Sequence, residues 1–370
     1  MSASQSQRVY SLDFLRGVAS FAVAWFHLCT FHYPTADGYY YQLLRSTGAY
    51  GWLGVEVFFV ISGFVIPYSL ERAHYLIHSY PQFLLKRVVR LDPPYLISIV
   101  VLILLAFAYS AYSEKPILVE GAPLGWARVL LHLGYLNTFF DNPWLNPSFW
   151  TLAIEFQYYL LMGLAFPFFN SAKRAIRLGA ITIFAAGSFF SGHGMLPGGV
   201  PSSRFIFYFS SLFLMGIVTF QRYVHRIGTK EYVLLMIIIS SGAFLTLGVP
   251  SLMAGLFAVA AINFYKRRNA ITNFFGKISY SLYLLHWPIG HLTLSIVGSR
   301  VLNATSDTAR TAMIFVAMST CIAASYLLYA FVERPSQLWS TRIKYRGRSR
   351  VSRDEVSGFA PSPLTSQYSR

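Results

Sequence analysis

The residues of this chain that could do chemistry lie inside apolar runs, where a bilayer would otherwise meet only hydrocarbon. Arg16 and His27 stand eleven residues apart in one run, about 16 Å of helix rise and three full turns, so both project from one face. Glu56 enters a second run close to its start, in Gly54-Val55-Glu56. Glu155 opens a further run behind Trp150, with Tyr159 one turn beyond it. His286 precedes Pro288 in a late run, where the proline weakens the helix one turn back and frees backbone groups for the imidazole to bind. Ionisable groups within spans are costly, and each is a functional hypothesis by default. A histidine base needs a group that fixes its tautomer and stabilises its cation, and a carboxylate does both. Glu155 and Glu56 are both expected at the depth of His27, and spacing leaves open which of them partners it.

Lys86-Arg87-Val88-Val89-Arg90 precedes the third run and places Arg87 and Arg90 on one helical face at the basic boundary. Such a pair can grip phosphates, although ordinary anchoring by basic residues accounts for it equally well. Taken together the positions make a path. Basic groups guard one mouth, Arg16 lies deeper, and His27 with acids lies towards the other side. That order suits a large anionic thioester whose phosphates stay low while its arm reaches up to His27.

The elements that must hold these groups follow from composition. Hydrophobic residues make up 55% of the 370, charged residues 12%, and mean hydropathy is +0.48, about half the charge of a soluble domain. Ten apolar runs are expected to span as helices, near 11–31, 52–70, 91–111, 149–169, 176–192, 204–220, 231–247, 249–265, 277–297 and 311–332. The fold class is therefore an all-α polytopic membrane bundle. With both termini cytoplasmic, 23 Lys and Arg fall on inside segments and 6 on outside ones, the bias that sets orientation. The net charge of +16 reads in that light as membrane topology, so nucleic acid is not an expected partner. No cleavable leader is expected before the first run. Cys29 and Cys321 form no spacing pattern, so neither a disulfide framework nor a metal site is expected.

Two outer loops are long. Tyr33–Tyr50 is rich in Tyr and Gly, and Tyr112–Pro147 carries Trp126 and Trp144. The second is apolar enough near Leu124–Phe140 for a short interfacial helix. Aromatic loops suit sugar stacking, and Tyr and Trp also anchor membrane interfaces generally. Residues 339–370 turn basic and Ser-rich and read as a disordered cytoplasmic tail behind a 1–338 transmembrane domain, able to adhere to anionic lipid heads.

These motifs, in order, resemble the acyltransferase-3 family of integral-membrane O-acyltransferases. Leu12-Asp13-Phe14-Leu15-Arg16-Gly17 followed by His27 is similar to the family's opening motif, and Gly54-Val55-Glu56 through Gly63-Phe64 to its second-span signature. Arg87-Val88-Val89-Arg90 matches its R-x-x-R motif, and Trp150-Thr151-Leu152-Ala153-Ile154-Glu155 resembles its W-S-L-x-x-E. Tyr280 to Pro288 and Phe331-Val332-Glu333-Arg334-Pro335 look like its closing signatures. Thr151 replaces the commoner Ser, Phe156 stands where a second Glu is frequent, and Leu91-Asp92-Pro93-Pro94 is an unusual continuation.

The resemblance implies acyl transfer, often acetyl, from acyl-CoA as co-substrate to a sugar hydroxyl of a surface or lipid-linked glycan, at a bacterial inner membrane. No permanently bound cofactor is expected. It also implies His27 as the essential catalytic residue, with Arg16, Arg87 and Arg90 serving the donor. Trp150, Tyr159 and His286 are expected in the substrate pocket. Some relatives carry an appended SGNH-type esterase domain, and none is expected here. A proton-coupled transporter or flippase of glycan precursors is the rival from another class, because an intramembrane Arg-His-Glu set can also move protons; an idle scaffold is the third. Acceptor identity, acyl length, direct transfer against an acyl-histidine, and oligomeric state are left open by the sequence.

Overall fold

Apolar runs and glycine contacts dictate a packed helix bundle, and the computed structural model describes it over residues 10–31, 38–113, 118–119, 121–195, 202–267, 269–302 and 305–345. The helices are α1 Tyr10–Phe31, α2 Tyr39–Gly48, α3 Gly54–Arg72, α4 Tyr80–Ser113, α5 Trp126–His132 and α6 Trp150–Phe169. They continue as α7 Arg174–Gly192, α8 Ser210–Tyr223, α9 Thr229–Phe264, α10 Ala270–His291, α11 Asp307–Leu328 and α12 Arg334–Arg342. The sheet content among the described residues is one antiparallel pair in the loop after α4, β1 Leu118–Val119 with β2 Ala122–Pro123.

Seven helical stretches are long and apolar enough to cross a membrane, and large apolar side chains stay exposed along them. Leu96, Ile97, Val100, Leu104 and Phe107 on α4 are exposed, as are Val233, Leu234, Ile237, Ile238, Phe244 and Leu245 on α9. Apolar surface on that scale, on backbone that satisfies itself as helix, belongs in lipid. The chain is a multi-pass membrane protein.

All ten expected runs are helical. The runs 231–247 and 249–265 are the two arms of α9, which breaks at Gly248 with φ +82°, a left-handed conformation that suits glycine. Asn263 Nδ2 donates to the Tyr232 hydroxyl at 3.1 Å, so the arms fold back side by side. The helix in run 204–220 starts late, at Ser210, after two short 3-10 turns. The first outer loop holds α2 instead of remaining irregular, and the interfacial helix expected in the second is the seven-residue α5. Helix α12 carries order past residue 338 to Arg342; residues 346–370 of the basic tail lie outside the described residues.

Close approach of α1 and α10 sets the centre of the bundle. A Cβ on Gly276 would stand 2.5 Å from the Asp13 carbonyl oxygen, so the two backbones touch in the manner of small-residue membrane interfaces. The loop after α4 is gathered by Arg128, which is buried. Its guanidinium donates to the carbonyls of Pro143 at 2.8 Å, Val119 at 2.9 Å and Trp144 at 2.7 Å. We refer to this loop, with α5, as the cap; it follows the end of α4 remote from Arg87 and Arg90, and its Tyr135 reaches back to donate to Asp92 at 2.9 Å.

Candidate active site

His27 sits four residues from the end of α1, against the cap end. Its Nδ1 is 2.9 Å from the Val23 carbonyl oxygen and 3.2 Å from His286 Nε2. His286 Nδ1 in turn meets the Leu282 carbonyl at 3.1 Å, and its Nε2 lies 3.3 Å from Ser148 Oγ. Carbonyls only accept, so each imidazole carries its proton on Nδ1. That assignment leaves Nε2 as the basic nitrogen of His27. His286 is fully buried and acts as a positioning residue for His27 through that contact. The carbonyl that Pro288 frees, Leu284 O, is taken by Asn146 Nδ2 at 3.2 Å, which corrects the expectation that His286 would bind it.

His27 and Glu56 line one cavity of about 320 Å³, together with Trp52, Ser148 and Trp150. Glu56 is 5% exposed. Its Oε1 accepts from Ser251 Oγ at 3.2 Å, while its Oε2 is buried with no hydrogen-bond partner among the described residues. Nearer the basic end lies a second cavity of about 270 Å³. Arg16 of α1, Arg87 and Arg90 of α4 and Lys277 of α10 line it, facing Asp13, Glu155 and Glu333.

The acids of this basic-end cavity are held by protein donors. Glu333 accepts from Ser281 N, Ser281 Oγ and Gln337 Nε2 at 3.2, 2.6 and 2.9 Å. Glu155 accepts from Ser62 Oγ at 3.0 Å and from the Tyr159 hydroxyl. The cations are held less. Arg87 donates to Ser69 Oγ at 2.9 Å and lies over the rings of Phe83 and Tyr159, yet its buried Nε has no partner. Among the described residues no hydrogen bond or ion pair engages Arg16 or Arg90. Guanidinium donors that no protein acceptor takes among the described residues suit an anion from elsewhere.

The two cavities share Val55, Thr151 and Tyr283 on their walls. Tyr283 donates to the Ser148 carbonyl at 3.0 Å, is hydrogen-bonded to Thr151 Oγ1, and meets Phe58 edge-on. A partition one side chain thick thus separates the cationic space from the histidine.

A family model described as an acyltransferase domain matches residues 9–330. The chain belongs to the acyltransferase-3 family. A peptidoglycan O-acetyltransferase, OatA, of Listeria monocytogenes is 30% identical over 167 residues, which cover 41% of this chain and 23% of that protein's length. ORF330 of Acidianus two-tailed virus, a candidate acetyltransferase, is 25% identical over 307 residues, or 77% of this chain and 84% of its own. No solved structure gives a significant match.

For this acyltransferase domain the structure gathers Arg16, Arg87 and Arg90 in one cavity, and His27, His286, Glu56 and Trp150 in or against the other. It separates Glu155 and Tyr159 from His27: both line the cationic cavity. The expectation that Glu155 shares the depth of His27 is thereby corrected, since Glu155 lies five residues inside α6 and Glu56 only two inside α3. Thr151, Tyr283 and Glu333 fall within the family motifs, but the partition they build or border depends on side chains from several helices and has no signature in spacing. Lys277 reads in the sequence as a boundary charge.

Proposed function

We propose that the protein is an O-acyltransferase that moves an acyl group, acetyl by family default, from cytoplasmic acyl-CoA to a sugar hydroxyl of an envelope glycan, in a bacterial inner membrane. The observation that carries this reading is the pair of cavities with opposite chemistry meeting at Val55, Thr151 and Tyr283. Arg16, Arg87 and Arg90 bind the donor phosphates at the cytoplasmic mouth. The pantetheine arm runs up the cationic cavity and presents its thioester at the partition. His27 Nε2 takes the proton of the acceptor hydroxyl as its oxygen attacks the thioester carbonyl. The C–O bond forms, the C–S bond breaks, and the proton on His27 passes to the departing thiolate, so ester and free thiol are the products. Glu56, across the same cavity, stabilises the imidazolium.

The test uses full-length protein in lipid nanodiscs with acetyl-CoA and a glycan extract of the envelope. Free thiol and an acetyl ester on sugar should appear in equal amounts. Thiol release without sugar ester, or glycan movement in proteoliposomes without thioester consumption, overturns the reading. Comparing surface glycans of expressing and deleted cells by mass spectrometry then identifies the acceptor.

A further inference from the structure

A third cavity, of about 530 Å³, opens at the cap end and touches the His27 cavity through one residue, Trp150, which lines both. Its other chemistry-bearing walls are Asn137, Asp141, Asn142 and Trp144 from the cap and Arg204 from the segment before α8. Two half-exposed indoles, two amides and a carboxylate–guanidinium pair meet there, drawn from stretches more than sixty residues apart.

The ionic groups of this cavity are already matched. Arg204 pairs with Asp141 and also donates to the Thr138 carbonyl at 3.1 Å. The pair leaves the walls without net charge. Asn137 is fully buried; its amide nitrogen reaches the Arg128 carbonyl at 3.4 Å, while its Oδ1 has no hydrogen-bond partner among the described residues. A buried amide oxygen left unmatched costs free energy unless a further donor meets it. Asp141 adopts φ +51°, a conformation uncommon outside glycine and tolerated best by Asn and Asp. The Trp144 carbonyl is fixed by Arg128 and its indole stands edge-on against His132 at 5.3 Å. This aromatic is therefore set by the cap. Indoles that serve only as interface anchors face lipid; Trp144 and Trp150 face a cavity.

We infer that this cavity is an acceptor subsite for an uncharged pyranose unit. The indole faces stack on the apolar face of the sugar, the amides and carboxylate take its equatorial hydroxyls, and Trp150 is the step by which the next unit reaches His27. Aromatic planes supply contact area at low entropic cost, and planar amides supply paired donors and acceptors. The inference rests on the acyltransferase reading for its role in catalysis, but sugar binding itself can be measured alone.

The experiment is calorimetric titration of full-length protein in nanodiscs, with cellotetraose as the sugar probe and CoA as a separate probe of the cationic cavity. Wild type should bind cellotetraose, and Trp144→Ala should weaken it roughly tenfold, the worth of one aromatic face. Trp144→Phe should retain most of the affinity, and Asn142→Leu should weaken it several-fold. CoA titration reports whether each variant is folded. Wild type that fails to bind the sugar, or Trp144→Ala and Asn142→Leu that bind it as wild type does, overturns the subsite. Cellotetraose binding without CoA binding instead overturns the donor half of the functional reading and leaves the subsite standing.

Discussion

The cavity beside Arg16 and the cavity beside His27 share Val55, Thr151 and Tyr283, yet they treat their charged groups in opposite ways. In the first Glu333 takes three protein donors and Glu155 two on its Oε1, while among the described residues no hydrogen bond or ion pair engages Arg16 or Arg90. In the second the Nδ1 sides of the imidazoles are occupied, and one oxygen of Glu56 is left over. One space therefore offers positive charge to a ligand and the other offers a place for a proton. Counting acids and bases would call both mixed; their hydrogen-bond partners tell them apart.

The largest test of that contrast is His27→Ala. Removing a general base costs between about a hundredfold and ten-thousandfold, so transfer should fall by roughly a thousandfold while CoA affinity stays within twofold. Normal transfer in folded His27→Ala protein sinks the mechanism. Arg90→Ala acts on the other space: the donor KM should rise between about ten- and a hundredfold, the worth of a charge-assisted contact, with the acceptor KM unmoved. Equal shifts in both constants would merge the two cavities into one site. Glu56→Gln should lower kcat about tenfold, near 1.4 kcal/mol of barrier, and leave the donor KM alone.

The smallest effect concerns the cap that carries the sugar subsite. His132, fully buried, accepts from Leu145 N on Nε2 at 3.2 Å and meets the Arg128 carbonyl through Nδ1. Burial, joined by the nearby Arg128 charge, lowers its pKa to about 4. Above the ordinary value of 6.5 neither folded nor unfolded chain is protonated there. As pH falls from 6.5 towards 4 the unfolded state takes the proton first, so stability is lost across that window. Thermal unfolding of wild type should show the slope between pH 7 and pH 4.5. His132→Gln should lessen it, and an unchanged slope would remove His132 as a contributor.

Much of this was legible in the sequence. The helical runs are set by apolar length alone, and the order Arg16, His27, Glu56, Arg87, Arg90 already traced a path. The two arms of α9 were legible as the separate runs 231–247 and 249–265, which meet at Gly248. Glu155 was placed too high because depth was judged by half a membrane, whereas the partition divides the bundle within one helical turn. His286 was read as a servant of Pro288, since only the folded chain brings Asn146 to the freed carbonyl. The third cavity joins Asp141 to Arg204 across a whole helical hairpin, a pairing that periodicity does not encode. The basic tail from residue 346 onward lies outside the described residues, and its lipid contact stands as a proposal.

The contact between Gly276 and Asp13 has a mechanical meaning. Helices α1 and α10 are joined backbone to backbone near the basic end and imidazole to imidazole near the cap, so they behave as one strut fastened at both ends. Arg16, His27, Tyr283 and His286 all ride on it and keep their spacing when the protein breathes. The start of α3 is fastened to the same strut, since a Cβ on Gly54 would stand 2.4 Å from the Ala19 carbonyl oxygen, so widening of the partition must come from Thr151 on α6 or from rotation of the Tyr283 ring. Passage between the cavities is in that sense one-sided: a fixed post with a swinging leaf, in place of two halves that rock apart.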